Sequence, residues 1–308
     1  MIELETRELE YFIAVADELH FGRAAVRLSI AQPALSKAIQ RIETRLGVQL
    51  FVRSSRRVEL TPAGAALLEH GRHAINAVSA AVRNAQRAGV TEDDHLRLVL
   101  KPGGDADLLS GMLAEYSNQP DARRVEILFS GPADRADFLH DGRADVGLLY
   151  VPFDDLDGLD HETLHVEDRV AIVPSGHRLA GRTSVRMSDL QGETLPRWRG
   201  RIPGGDGTGP EVGDVLQMMH MITVGRMIAV LPRSLVEPVS AGLVCVPVTD
   251  APPSRLVLAW NDKDRRPLVA LFVAAGLRTA LARAQIRSRQ RETLPRFNDE
   301  RLTSEEFR

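Results

Sequence analysis

The chain has 308 residues, of which 44% are hydrophobic and 26% charged, and its formal net charge is −3. This length has room for two or three domains with their own cores, and the acidic total argues against a surface that binds nucleic acid everywhere. Cys245 is the only cysteine, which excludes an internal disulfide and a thiolate zinc cluster. No apolar run approaches the roughly 20 residues of a membrane helix, and Glu3, Glu5 and Glu8 do not resemble a signal peptide. We therefore expect a cytoplasmic protein.

Three short amphipathic helices are predicted near the N-terminus. Their apolar stripes are Leu9, Phe12, Ile13 and Ala16, then Phe21, Ala24, Ala25 and Leu28, and then Leu35, Ile39, Ile42 and Leu46. Only residues 29–31 separate the second helix from the third, and Pro33 is tolerated near a helix start. This spacing is typical of a helix-turn-helix, whose second helix enters the major groove of DNA.

The outward face of the third helix is polar and basic. It carries Gln32, Ser36 and Gln40, with Lys37 and Arg41 beside them. Such a face suits the major groove, where bases are distinguished by their hydrogen-bond donors and acceptors. An ordinary solvent-exposed helix can have the same composition, so the face alone leaves both interpretations open.

A short β-hairpin is predicted directly after this helix. Apolar and polar residues roughly alternate between residues 50 and 60 on either side of a turn at residues 54 and 55. Arg53, Arg56 and Arg57 would then meet the DNA backbone or minor groove, as in the wing of a winged helix. Residues 20–60 hold eight basic side chains against two acidic ones, which is the electrostatic pattern of a phosphate-contacting surface. The alternative is a solvated basic turn.

A long helix is predicted from Thr61, which is a suitable N-cap, with Pro62 at the first helical position. Apolar or small residues then recur at spacings of three and four. They are Leu68, Gly71, Ile75, Val78, Val82 and Ala85. This heptad seam predicts a dimerising helix. The alternative is a helix that packs on its own chain.

After a polar break at residues 89–94, strands alternate with helices. The predicted strands are 96–100, 125–129, 146–151, 170–173, 243–248 and 256–260, and the predicted helices are 106–118, 133–141 and 268–284. This alternation favours a mainly parallel sheet covered by helices. The charged, aperiodic residues 287–308 are expected to be frayed or disordered.

Two local motifs could indicate other chemistry. Residues 161–165, HETLH, match the zinc-protease pattern, which requires both histidines on one face of a helix. Their surroundings alternate like a strand, in which residues four apart lie about 13 Å apart, too far to share one zinc ion. The glycine-rich run at 204–209 lacks the preceding apolar strand and the closing Lys-Ser/Thr of a phosphate loop, so we interpret it as a mobile rim loop. No catalytic site, metal site or cofactor is predicted.

The segment LSIAQPALSKAIQRIETRLGVQLF, residues 28–51, resembles the DNA-binding region of LysR-type transcriptional regulators. The resemblance is dense and ungapped over about the first 65 residues. Looser resemblances follow in DGRADVGLLYVP, AIVPSGHRLAG and VGRMIAVLPRSL. Met227 stands where the family usually has a second glycine, which puts the backbone after Gly225 in doubt.

The resemblance implies a multidomain α/β protein. Residues 1–60 would form a winged helix-turn-helix DNA-binding domain, 61–90 a dimerising linker helix, and 91–290 an effector-binding domain like a periplasmic binding protein. Its first subdomain would contain about 95–165 and 265–290, its second about 166–264, and 291–308 would be a charged tail. The predicted DNA-binding residues are Gln32, Pro33, Ser36, Lys37, Gln40, Arg41, Arg53 and Arg56. Pro33 would set the helix rather than touch bases.

The resemblance also implies partners: an interrupted palindrome in double-stranded DNA, a homodimer or homotetramer, RNA polymerase as a candidate, and a small-molecule effector. The effector site would comprise Lys101, Pro102, Gly103, Gly104, Asp105, Ser130, Gly131, Arg197, Trp198 and Arg199. Amides at a helix start near residues 102–105 and the basic side chains favour an anionic ligand such as an organic acid. The alternative is that the arginines face solvent. Two other function classes stay open: a metallohydrolase, and a ligand-binding protein with a non-functional DNA head.

Overall fold

A computed structural model describes residues 4–53, 57–89, 95–131, 134–198 and 207–293. The N-terminal part consists of helices α1 (Thr6–Glu18), α2 (Phe21–Arg27) and α3 (Gln32–Leu46), followed by the antiparallel strands β1 (Phe51–Arg53) and β2 (Val58–Leu60). The predicted helix-turn-helix and hairpin are therefore confirmed, while the hairpin tip lies outside the described residues. The apolar stripes meet in one core, in which Phe12, Leu35, Ile39 and Ile42 are fully buried.

Helix α4 (Pro62–Ala88) begins where the sequence predicts. The hydroxyl of Thr61 accepts a hydrogen bond from the amide of Gly64 at 2.9 Å. The first half of the predicted seam packs on the same chain, since a Cβ added to Gly71 would lie 2.8 Å from the side chain of Leu9. Val78 and Val82 are 46% and 52% exposed, so only the second half of the seam is free for a partner helix.

The remaining chain alternates between strands and helices. In order these are β3 (His95–Leu100), α5 (Leu109–Ser117), β4 (Arg124–Phe129), α6 (Arg135–His140), β5 (Val146–Val151), β6 (Leu159–Glu167), β7 (Arg169–Pro174), β8 (Arg197–Trp198), β9 (Glu211–Val212), α7 (Val215–Thr223), β10 (Ala229–Pro232), β11 (Leu243–Pro247), β12 (Ser254–Asn261) and α8 (Pro267–Thr293). Two short 3-10 helices lie at Met187–Leu190 and Arg233–Leu235.

These strands form two main sheets. The first has the order β4-β3-β5-β12-β6, in which β3 is parallel to β4 and β5 while β12 is antiparallel to β5 and β6. The second has the order β10-β7-β11 and is antiparallel throughout. The prediction of mainly parallel pairing is thus wrong for the second sheet, and in the first sheet it holds for only two of the four pairs among the described strands. The expected subdomain boundary near residue 264 is also too late, because β12 returns to the first sheet.

Helix α8 covers the first sheet. By length and composition its segment Pro267–Ile286 could cross a membrane, which we did not anticipate from the sequence. Val269, Phe272 and Ala275 of this helix are buried in the core of the first sheet. The helix continues to Thr293, so the aperiodic tail expected from residue 287 is wrong for its first residues, whose Arg- and Gln-rich composition favours a helix.

Candidate nucleic-acid interface and effector cleft

The buried stripe of α3 determines which side chains point outward. With Leu35, Ile39 and Ile42 in the core, the side chains of Gln32, Pro33, Lys37, Gln40 and Arg41 are exposed and that of Ser36 is partly exposed. This places the predicted base-reading and phosphate-binding residues on one accessible helix surface.

The turn before α3 is built by local hydrogen bonds. Nδ1 of His20 accepts from the amides of Gly22 at 3.0 Å and Arg23 at 3.2 Å, which caps α2. Ser29 has a positive φ of 55°, and this conformation lets the chain reverse toward α3. Ala31 provides no side-chain cap for α3. Pro33 has no N–H, and the amide of Ala34 donates to the carbonyl of Ala31 at 3.0 Å. At this helix start, as far as the structure describes it, the amide of Gln32 is therefore the one left to meet a phosphate group.

The wing depends on Glu43, a residue that sequence reasoning missed. Its carboxylate is 4% exposed and accepts hydrogen bonds from the amides of Leu50 at 2.9 Å and Phe51 at 3.2 Å. The second carboxylate oxygen binds Nη2 of Arg53 at 2.9 Å, and the guanidinium of Arg53 lies over the ring of Phe21. Arg53 therefore fixes the wing to α3, and a phosphate contact by Arg53 remains a prediction. Arg56 lies outside the described residues.

Acidic neighbours neutralise most of the basic side chains around α3. The ion pairs are Arg23–Glu18, Arg27–Asp17, Arg45–Glu8, Arg53–Glu43 and Arg57–Glu59. Lys37 and Arg41 form no ion pair with the residues that the structure describes. The basic charge that remains available to a partner is therefore concentrated on the outward face of α3.

The predicted helix start at residues 102–105 is wrong. Ala106 and Asp107 have positive φ angles of 48° and 53°, which are incompatible with a helix, and α5 begins only at Leu109. The side chain of Asp105 accepts a hydrogen bond from the amide of Leu109 at 3.3 Å. A helix start near residue 102 therefore offers no amides to an effector, and the amide of Leu109 already has an acceptor.

The loops at the ends of β3 and β4 do come together. The amide of Ser130 donates to the carbonyl of Leu100 at 3.3 Å, which places Ser130 and Gly131 beside Lys101. In the loop after β3, Pro102 and Gly103 are exposed, whereas Gly104 is buried and its amide donates to the carbonyl of Lys101 at 2.9 Å.

Lys101 lies in a strongly desolvated environment. Burial, together with the charge of Arg135, lowers the pKa of Lys101 from 10.5 to about 7, while Asp154 and Asp214 act in the opposite direction. Asp214 caps α7 beside the second sheet, where its carboxylate accepts from the amide of Gln217 at 2.7 Å. Lys101 therefore lies in the cleft between the two sheets, within electrostatic reach of both.

The remaining predicted effector residues lie on β8. Nε of Arg197 donates to the carbonyl of Gly209 at 2.9 Å, and β8 pairs in parallel with β9. Arg197 is exposed but already holds this loop together. Trp198 is placed by its backbone alone, and Arg199 lies outside the described residues.

The cleft holds polar groups that the sequence did not reveal. Arg135 and Asp154 form a buried ion pair at 2.8 Å, and Asp154 also accepts from the amide of Tyr150 at 2.7 Å. The hydroxyl of Tyr150 on β5 and that of Ser234 lie 2.9 Å apart. This hydrogen bond joins the first sheet to the 3-10 helix that follows β10 of the second sheet. Glu167 accepts from both the amide and the hydroxyl of Ser234, at 2.7 and 2.6 Å. Nothing in the local pattern around Tyr150 or Ser234 marks either residue before the sheets are assembled.

The HETLH motif is part of β6, which confirms the predicted strand. His161, Glu162, Thr163 and His165 each pair with a residue of β12, and the register shifts at Leu164. The two histidines therefore do not share a helix face. Among the residues that the structure describes, no group of three His, Cys, Asp or Glu side chains could hold a metal ion. The metallohydrolase interpretation therefore has no support.

Comparison with known proteins gives the family. The model of the lysR family of bacterial regulatory helix-turn-helix proteins matches residues 6–65, and the model of the LysR substrate binding domain matches residues 91–280. The chain thus belongs to the LysR family of DNA-binding transcriptional regulators and carries the effector-binding domain of that family.

Individual relatives agree with this assignment. The chain is 34% identical over 197 residues to the transcriptional regulator AlsR of Bacillus subtilis, a match that covers 62% of this chain and 63% of the relative. It is 28% identical over 288 residues to the Hca operon transcriptional activator HcaR of Escherichia coli, covering 88% and 96%. The oxidized form of Corynebacterium glutamicum OxyR has a similar structure, with a TM-score of 0.50, 25% identity and coverage of 95% and 96%.

Proposed function

We propose that α3 reads operator DNA through Gln32, Ser36 and Gln40, while Lys37 and Arg41 hold the phosphates. The observation that carries this proposal is that Lys37 and Arg41 lie on the exposed face of α3 and form no ion pair with the residues that the structure describes. Lys and Arg on a recognition helix position the protein on the backbone, whereas amides can distinguish bases by their hydrogen-bond patterns. Pro33 begins the helix, and Arg53 and Arg56 extend the contact along the wing.

A dimer explains the exposed half of α4. Val78 and Val82 form an apolar strip on the helix that links the two halves of the chain. Burying such strips against a second copy would pair two recognition helices, which fits an interrupted palindrome. We propose a homodimer that assembles further into a homotetramer in the cytoplasm, with RNA polymerase as a candidate partner. Its activity is regulatory and not enzymatic.

The effector is proposed to be a small organic anion that binds between the two sheets. Lys101, Ser130 and Gly131 meet at the edge of the first sheet, and Arg197, Trp198 and Arg199 would approach from the second part. The carboxylate of Asp105 would partly offset the positive charge of Lys101. An ammonium group held in a desolvated cleft gains more from a carboxylate ligand than an exposed lysine does.

Two measurements test the proposed function. Fluorescence anisotropy should show that Lys37→Gln and Arg41→Gln bind DNA of every sequence more weakly and with a smaller salt slope, whereas Arg265→Gln, an exposed arginine far from α3, behaves like the wild type. Calorimetry with acetate, benzoate and succinate should detect binding to the wild-type chain. A chain that binds only neutral or cationic ligands would refute the anionic effector.

A further inference from the structure

Arg169 occupies the point where the chain first crosses from one sheet to the other. It opens β7, the central strand of the second sheet, and only Asp168 separates it from the end of β6 in the first sheet. Its Nε donates to the hydroxyl of Ser254 at 3.1 Å. Ser254 is fully buried and opens β12, where the chain returns to the first sheet. One side chain therefore spans both crossovers at the base of the cleft.

The guanidinium of Arg169 is fixed but incompletely paired. It lies over the ring of Phe153, 4.9 Å from the ring centre, and Phe153 packs against the core of the first sheet. Nη2 is buried and has no hydrogen-bond partner among the residues that the structure describes. No carboxylate of the described chain forms an ion pair with Arg169. Burial lowers the pKa of the Arg169 guanidinium, but an arginine still keeps its proton at neutral pH.

An unpaired charge of this kind is unfavourable in a folded protein. Buried polar atoms are almost always hydrogen-bonded, and although Arg169 as a whole is partly exposed, its sealed Nη2 without a partner costs stability that a neutral side chain of similar size would not cost. A charged group with a perturbed pKa in a cleft is a candidate functional residue, and for a guanidinium with an unpaired N–H the matching partner is an anion. The planar guanidinium also matches the geometry of a carboxylate, which can accept two parallel hydrogen bonds from it.

We propose that Arg169 is the residue that binds the carboxylate of the effector at the base of the cleft. This inference rests on the proposed anionic effector and identifies a side chain that meets its charge in addition to Lys101. Nη2 is sealed in the present conformation, so the two sheets must shift around the crossovers for a ligand to reach it. An anion bound to Arg169 therefore stabilises the shifted arrangement, which couples binding to the angle between the sheets.

The substitution Arg169→Gln tests this role in the full-length chain. It removes the charge and keeps a hydrogen-bonding side chain that can still reach Ser254. Calorimetry with benzoate and acetate should show affinity reduced by about 10- to 100-fold, the effect of losing a charged hydrogen-bond donor. The thermal midpoint without ligand should stay the same or rise, because a buried donor without a hydrogen-bond partner has been removed. Arg178→Gln, which alters an exposed arginine of the second part, should retain wild-type binding.

The possible results separate two hypotheses. If the wild type binds a carboxylate and Arg169→Gln binds it equally well, the role of Arg169 is refuted and the anionic effector stands. If the thermal midpoint of Arg169→Gln falls by several degrees together with the affinity, Arg169 is structural and the inference is likewise wrong. If the wild type binds none of the carboxylates, both proposals fail.

Discussion

Arg87 and Asp145 form an ion pair that joins the linker helix to the effector-binding half of the same chain. Nη1 of Arg87 lies 3.0 Å from Oδ1 of Asp145, whose side chain is fully buried. Arg266 approaches the same carboxylate at 2.6 Å, and the amide of Arg97 donates to its other oxygen at 2.7 Å. Asp145 is therefore the centre of a junction between α4, β3 and the segment before α8.

Other contacts extend this junction along α4. The amide group of Asn76 donates to Asp137 at 3.2 Å, and Nε of Arg83 donates to the carbonyl of Asp141 at 3.1 Å. Between α4 and the first sheet lies a cavity of about 850 Å³ with a mixed polar and apolar lining, which does not include Lys101. We infer that α4 and the first sheet move together, so that an effector changes the position of the second sheet relative to both.

Replacing Asp145 tests the importance of this junction. Asp145→Ala leaves Arg87 and Arg266 without their shared carboxylate, and removal of one partner of a buried ion pair typically costs roughly 3–5 kcal/mol. Urea unfolding of the full chain should show this loss in the effector-binding half. The matched control is Asp160→Asn, which alters the exposed pair with Arg265 and should change stability by less than about 0.5 kcal/mol. If Asp145→Ala and Asp160→Asn lower the free energy of unfolding by the same small amount, the junction at Asp145 contributes little to stability.

Arg53 should affect DNA binding independently of sequence. Arg53→Gln removes a partly exposed positive charge on the wing, so binding to operator and random DNA should weaken by similar factors, with the salt slope reduced by about one. Fluorescence anisotropy at several salt concentrations measures both quantities. Glu43→Gln is the informative companion, because it releases Arg53 from its partner and leaves the arginine charge in place. An unchanged salt slope in Arg53→Gln would remove Arg53 from the phosphate-binding residues.

The sequence was informative wherever periodicity reports burial. The stripe of Leu35, Ile39 and Ile42 determined the orientation of α3, and Thr61 and Pro62 marked the start of α4 to the residue. Both are consequences of local chemistry, because a helix repeats every 3.6 residues and its start needs a cap. The exposed face of α3 followed directly from these features.

The missed features depend on tertiary placement. The pattern of β12 predicts a strand but does not indicate which sheet will accept it. Glu43 stands in a charged run and looks solvent-exposed until the amides of Leu50 and Phe51 are brought beside it. Likewise, nothing in the composition of residues 102–108 reveals that Ala106 and Asp107 adopt positive φ angles. The effector cleft was accordingly less predictable than the DNA-binding surface.

Base discrimination should depend on the amide and hydroxyl groups of α3. Gln32→Ala and Ser36→Ala should reduce the preference for operator over random DNA by roughly 1–3 kcal/mol if each side chain makes a specific base contact. The ratio of the two dissociation constants is the measurement. Gln86→Ala, which alters an exposed glutamine on α4, is the control. An unchanged ratio would show that these side chains do not read bases.

Gly64 should be irreplaceable at the junction of α4 and the wing. A Cβ at this position would lie 2.1 Å from the carbonyl oxygen of Leu50, which is backbone and has little freedom to move. Gly64→Ala should therefore destabilise the N-terminal part by about 1–3 kcal/mol, measured by thermal unfolding. Gly181→Ala is a matched control, because a Cβ there meets nothing within 4 Å. If Gly64→Ala lowers the stability as little as Gly181→Ala does, the backbone near Leu50 can move to make room for the added Cβ, and the prediction is wrong.

Lys101 should make stability and effector binding depend on pH. Its pKa of about 7 in the folded chain is below the ordinary 10.5, so the unfolded chain holds more protons between these values. Stability therefore rises with pH through this window, and Lys101→Met should flatten the rise. Affinity for benzoate should change in the opposite direction, falling above pH 7 by at most about tenfold per pH unit as the ammonium loses its proton. Thermal unfolding and calorimetry between pH 6 and 9 measure the two trends. The exposed Lys263→Met should keep both wild-type profiles, and a benzoate affinity independent of pH in the wild type would exclude Lys101 from the anion site.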